Sequence, residues 1–124
     1  AVLEVLLRTP LAEAVEQRIF DSRETLHAPH LLDVEVAQVL RRYSISGTLD
    51  AERGHEALDD LADLAIARYS HEILLDRVWA LRHNLTAYDG VYVALAEALN
   101  ATLLTCDRRM ASASGIYARI EIVG

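Results

Sequence analysis

The chain has 124 residues, of which 52% are apolar and 25% charged, with a single cysteine. That much apolar material builds one sizeable core and excludes a disordered tail, and one cysteine excludes an internal disulfide framework. Nineteen acids stand against twelve bases, every base is an arginine, and the net charge of −7 does not suit a protein that grips nucleic acid by phosphate neutralisation alone.

Residues 1–8 read as a short apolar helix ended by Thr9-Pro10, and Glu4 and Arg8 interrupt it in a way no signal peptide would. No apolar run approaches the ~20 residues of a membrane span, so a cytoplasmic protein is expected. Thr9 as cap and Pro10 at the first position predict a second helix to about Phe20. Residues 25–28 form a brief extended run, and Pro29 opens a strong helix from His30 to about Ser44, stopped by Gly47. Asp50 caps the next helix through about Leu64. Ala65 to Tyr69 is a short strand, and Ser70 begins a helix through about Arg82, in which Leu75 and Trp79 read as core.

Thr86-Ala87-Tyr88-Asp89 is a capping-box-like start, with an acid three residues after the threonine. Its helix runs through Leu99, and Asn100 is a left-handed stop. Tyr88 and Tyr92 read as packing residues. Ala101 to Cys106 is a compact apolar strand, with Cys106 as a small buried residue, and Arg119 to Val123 is the last strand. Short apolar strands alternating with helices predict an α/β sandwich around a mostly parallel sheet. Such a fold opens with a strand, so a buried central strand is expected ahead of Ala1.

Three acids stand out against this pattern. Glu35 has Leu31, Leu32 and Val39 as its helical neighbours, so its carboxylate sits on an apolar stripe and needs an arginine or a metal. Asp33 and Arg41 form a more ordinary polar edge. Asp89 lies in the first turn of its helix, and Asp107 directly follows the apolar strand, both at the edge where parallel sheets bind ligands. Each has a plain structural alternative: an ion pair for Glu35, a capping acid for Asp89 and a turn aspartate for Asp107. Converging, the three would make a hard-oxygen cage suited to Mg²⁺ or Mn²⁺. Such an ion makes an acidic edge attractive to phosphate.

Pro29 breaks helical geometry between His27 and His30, which argues against a transition-metal site there, and His55, His71 and His83 read as surface or cap residues. Arg41 and Arg42 suit the end of a helix. Neither a P-loop nor a GxGxxG is present, so a nucleotide-binding or receiver-like domain is unsupported.

With Leu32-Asp33-Val34-Glu35-Val36, Thr86-Ala87-Tyr88-Asp89 and Thr105-Cys106-Asp107-Arg108-Arg109 in this order, the chain resembles a PIN domain of the bacterial VapC toxin group over essentially its whole length. The resemblance implies a three-layer α/β/α PIN-like domain with a mostly parallel central sheet, spanning residues 1–124 as one domain. It implies a Mg²⁺- or Mn²⁺-dependent endoribonuclease, the toxin of a toxin–antitoxin pair, with Glu35, Asp89 and Asp107 as metal ligands and Thr105 as a hydroxyl beside them. The family's first aspartate belongs to an opening strand that this chain does not contain, and Glu4 lies too far into its helix to replace it. Arg108 and Arg109 are candidates for RNA phosphates. By the same resemblance the partners are a VapB-type antitoxin, whose tail would place an arginine against the carboxylates, and a second copy of the chain. The apolar faces of residues 11–19 and 31–40 are candidates for that dimer. The alternative is a non-catalytic PIN-like binding module, whose acids form a docking surface or a regulatory metal site.

Overall fold

Four-residue strands alternate with helices in the order that the apolar patterning predicts. The computed structural model describes residues 2–20 and 24–124, with the side chains of residues 3 and 4 outside the described set. The expected helix start at Ala1 and the side chain of Glu4 therefore lie outside the described residues. The elements are α1 (Val2–Leu6), α2 (Ala12–Ile19), β1 (Leu26–Pro29), α3 (Leu31–Ile45), α4 (Ala51–Asp63) and β2 (Ile66–Tyr69). A 3-10 turn (Glu72–Leu74) follows, then α5 (Leu75–Ala80), α6 (Ala87–Leu99), β3 (Thr102–Thr105), α7 (Arg109–Ser112) and β4 (Arg119–Ile122).

Among the described residues all strand pairing is parallel. β1 runs beside β2 with Leu26 opposite Ile66, and β3 beside β4 with Thr102 opposite Arg119. The described strands form two separate pairs instead of one continuous sheet, and α6 packs on both β1 and β3 and so spans the division. Successive strand residues face opposite ways, which sets up the layers. Leu104 joins Val5, Val15, Ile19 and Val123 on one side, while Leu103 joins Leu81, Val93 and Met110 on the other. On β2, Ile66 packs toward α3 and α4, and Tyr69 toward Val91, Ala94 and Leu95 of α6. Cys106 is half-buried against the first of these clusters.

Three helices differ from the sequence reading. Asp50 stands at the N-cap position of α4, but its side chain makes no capping hydrogen bond among the described residues. Residue Leu11, in helical conformation and without a side-chain cap, occupies the N-cap position of α2. The Thr9 carbonyl accepts the Ala12 N–H at 3.0 Å, so the backbone turns before the helix begins. The helix expected from Ser70 is divided into the 3-10 turn and the six-residue α5. Its inward stripe is Leu74, Val78 and Leu81, one position away from the expected one. Leu75 and Trp79 consequently face outward, 54% and 68% exposed. The Trp79 ring lies under the Arg82 guanidinium, 4.7 Å from its centroid, a contact that shields the indole without burying it.

The apolar faces considered for dimerisation are largely used by the chain's own core, since Val15, Ile19, Val36 and Leu40 are all buried. Guanidinium forks tie the layers together. Arg18 of α2 donates to both oxygens of Glu121 in β4, at 2.7 and 2.8 Å. Arg77 of α5 does the same to Glu97 of α6, at 2.6 and 3.0 Å, and also reaches the Gly115 carbonyl. The Tyr117 amide completes the glutamate's shell at 2.9 Å. The Arg77 hydrogen bonds hold the Glu97 carboxyl below its ordinary range against an opposing desolvation, and the Tyr117 amide assists.

Leu81, 1% exposed, should lose about 2–5 kcal/mol on conversion to alanine, whereas Trp79→Ala should cost under about 1 kcal/mol; urea denaturation of both variants tests the inward stripe. A depressed folded-state value means that the Glu97 contribution is complete above the ordinary carboxylate range and lost as the pH falls through the folded value. Glu97→Gln should therefore destabilise by about 1–3 kcal/mol at neutral pH, with the difference shrinking below about pH 4.

Candidate functional site

Three chain segments carry the candidate carboxylates. Strand β1 ends at Pro29 and feeds α3, whose early turns carry Asp33 and Glu35. Strand β3 ends at Thr105, two residues before Asp107. Helix α6 precedes β3 through a two-residue turn, so it starts at the edge where that strand finishes, and Asp89 is in its first turn. The start of α3 is held from across the sheet, where the Leu31 N–H donates to Nε2 of His71 at 2.9 Å. The cap reading of His71 is met in this unusual way.

Glu35 is half-buried, and among the described residues its hydrogen-bond partner is neither an arginine nor another charged group. Oε1 accepts a hydrogen bond from the Tyr92 hydroxyl at 2.5 Å. The arginine goes to Asp33 instead, because residues two apart on a helix point to different sides. Arg68 of β2 makes a bidentate contact with Asp33, at 2.8 and 3.0 Å, beside Leu58, Leu61 and Ala62 of α4. Burial pushes the Tyr92 phenol well above its ordinary value, and the Glu35 hydrogen bond and the charges of Glu35, Asp33 and Asp89 push the same way.

Asp89 follows the capping pattern, its amide donating to Thr86 Oγ1 at 3.1 Å. Its carboxylate takes no hydrogen bond among the described residues. Asp107 is more fully engaged. Thr105 Oγ1 accepts the Asp107 amide at 3.1 Å, fixing the turn after β3. Oδ1 of Asp107 accepts the Arg109 amide at 3.0 Å and Nε at 3.1 Å, and Oδ2 accepts Nη2 at 3.1 Å. Arg109's side-chain and backbone hydrogen bonds hold the Asp107 carboxyl below its usual range. The Asp107 hydrogen bond and charge raise Arg109 in turn, and the charge of Asp89 adds to this. Asp89 thus acts on groups at both flanks, Tyr92 beside Glu35 and Arg109 beside Asp107. Arg108 turns away to donate to the Gly124 carbonyl.

The donor set consists of carboxylate oxygens without sulfur or imidazole, which is the chemistry a hard divalent cation requires, so the residues fit such an ion. In the arrangement described, Tyr92 holds Glu35 and Arg109 holds Asp107. Among the described residues no group of three or more His, Cys, Asp or Glu side chains is gathered to hold a metal, the histidines of the β1 end included.

Sequence reasoning missed Tyr92, although its place three residues after Asp89 was a readable sign that the two share a helix face. Tyr88, expected to pack, is 64% exposed.

This fold and this edge define a family. The chain matches the PIN domain over residues 1–116 and belongs to the PIN domain family. Several similar proteins are named as VapC ribonucleases. Ribonuclease VapC1 of Mycobacterium tuberculosis is 44% identical over 113 residues, covering 90% of this chain and 85% of that protein. Ribonuclease VapC9 of the same organism is 45% identical over 100 residues, 81% of this chain and 79% of its own length. Ribonuclease VapC12, also from M. tuberculosis, is 37% identical over 123 residues, 99% of this chain and 94% of that protein.

Removing the guanidinium should release Asp107. In Arg109→Ala the Asp107 carboxyl should titrate at a higher pH than in the parent, moving toward the ordinary aspartate value, as followed by carboxyl-carbon NMR; an unmoved titration would mean that Arg109 does not engage the carboxylate in solution.

Proposed function

We propose that this chain, read as one PIN domain over residues 1–124, is the toxin of a toxin–antitoxin pair and a metal-dependent endoribonuclease. The observation that carries this reading is the acidic edge itself. The Asp89 carboxylate takes no hydrogen bond among the described residues and acts electrostatically on the Glu35–Tyr92 pair and on the Asp107–Arg109 pair. Relatives named ribonucleases at 37–45% identity support the RNA-cleaving activity. Glu35, Asp89 and Asp107 would hold Mg²⁺ or Mn²⁺, which when bound activates water and neutralises phosphate charge. The Thr105 hydroxyl keeps the Asp107 turn in place. Arg109, whose side chain is 90% exposed, exchanges Asp107 for a phosphate oxygen of the RNA, a bidentate acceptor of similar shape.

The partner in this reading is a VapB-type antitoxin that presents an arginine to the same edge. Arg109 supports this by occupying a carboxylate there in cis. A second copy of the chain would dock through surfaces other than the buried faces of α2 and α3. No described helix is long and apolar enough to cross a membrane, in keeping with a toxin that meets RNA in the cytoplasm. One observation favours a second reading, a non-catalytic binding module: Asp107 is already neutralised by Arg109.

Incubating the protein with total RNA separates the two. Cleavage should require Mg²⁺ or Mn²⁺, stop on chelation with EDTA and return on adding Mn²⁺. Asp89→Asn and Glu35→Gln should slow it by on the order of 100-fold while leaving the circular dichroism spectrum unchanged. Variants that cleave as fast as the parent would sink the catalytic reading.

A further inference from the structure

We infer that Tyr92 is a positioning residue of this site: its hydroxyl holds the Glu35 carboxylate in the orientation from which it reaches a shared divalent cation, a role that rests on the metal-dependent reading above. The geometry is direct. Tyr92 comes three residues after Asp89 on α6, so the two side chains leave adjacent positions of one helix face. Its hydroxyl spans to α3 and donates to Oε1 of Glu35 at 2.5 Å, which leaves Oε2 without a protein donor among the described residues. One tyrosine thereby joins two of the three acid-bearing elements.

The helix that carries Tyr92 is fixed. Thr86 caps its first turn, and Val91 and Val93 on either side of the tyrosine are 5% and 0% exposed. Glu35, by contrast, has three rotatable side-chain bonds, and among the described residues no cation pairs with it. Asp33, two residues earlier on the same helix, is held by Arg68. A side chain with that much freedom keeps one orientation only where a donor holds it, and the Tyr92 hydroxyl is the donor that the described residues supply. Partners that orient a ligand in this manner affect metal affinity without touching the ion. Replacing the phenol by a phenyl ring keeps the packing and removes only the donor.

The test is calorimetric titration of the protein with Mn²⁺ alone, for the parent, Tyr92→Phe, Glu35→Asp, the Tyr92→Phe/Glu35→Asp pair and Glu35→Gln. Tyr92→Phe should weaken Mn²⁺ binding by about 10-fold and move the thermal midpoint by no more than a few degrees. RNA cleavage by the same variant should lose kcat with KM unchanged. In the Glu35→Asp background, where the shortened side chain no longer meets the hydroxyl, Tyr92→Phe should add no further loss. Parent-like Mn²⁺ affinity in Tyr92→Phe alongside weakened binding in Glu35→Gln would overturn the tyrosine's role alone. An equal Tyr92→Phe loss in both backgrounds would also overturn it, because the hydroxyl would be acting elsewhere. If Glu35→Gln binds Mn²⁺ as the parent does, the cation site itself fails, and the positioning role fails with it.

Discussion

Helix α6 has to satisfy two strand pairs that do not hydrogen-bond to one another, and the rest of the structure follows from how it does so. Its middle is a run of buried residues, Val91 and Val93 to Ala96, too apolar all round for a surface helix and suited to lying between layers. Each end is fixed by a different device. Thr86 sets the first turn, and the Arg77 fork holds Glu97 in the last one. Asn100 then adopts the left-handed conformation, and the Ala101 amide returns to the Ala96 carbonyl at 2.9 Å. The chain enters β3 immediately afterwards, so the distance along the edge between Asp89 and Asp107 is set by one helix and one strand with almost no slack.

The electrostatics of the edge are a matter of distribution. Gathering acids on one side of a small domain is unfavourable unless each finds a donor. Arg68 serves Asp33, Tyr92 serves Glu35 and Arg109 serves Asp107. Three carboxylates are thus satisfied from three different elements: β2, α6 and α7. Asp89 is the member of the set without such a donor among the described residues. Its backbone is nonetheless held, since its own amide is the group that Thr86 caps.

Local chemistry made much of this legible. The order of helices and strands, the Thr86 cap, the Asn100 stop and the parallel pairing all depend on residues close in sequence or on the period of apolar positions, and they could be read there. The three acids were legible because each interrupts a pattern. Their partners were not, because partnership is set by packing: Tyr92 lies 57 residues from Glu35 and Arg68 lies 35 from Asp33. Glu35 does take a partner, and a tyrosine hydroxyl stands where an arginine was one of the two expected. The inward stripe of α5 was misread for a related reason. Leu74 and Leu75 are adjacent and equally apolar, and the size of Trp79 favoured the wrong one of two registers that differ by a single residue. At the start of α2 a Thr-Pro pair has the composition of a cap, but Pro10 and Leu11 continue the turn before the helix forms.

The ion pairs described here share one further property. Arg18, Arg68, Arg77 and Arg109 all bind their carboxylates through two nitrogens of a planar fork, and these 124 residues contain no lysine. A guanidinium stays charged across any physiological pH, so acid affects these contacts only through their carboxylates. The same choice removes every side-chain amine from the segment. Reagents and cellular enzymes that acylate or tag the lysine ε-amine find no acceptor on it, and the charge pattern that holds the fold is beyond the reach of that whole class of modification.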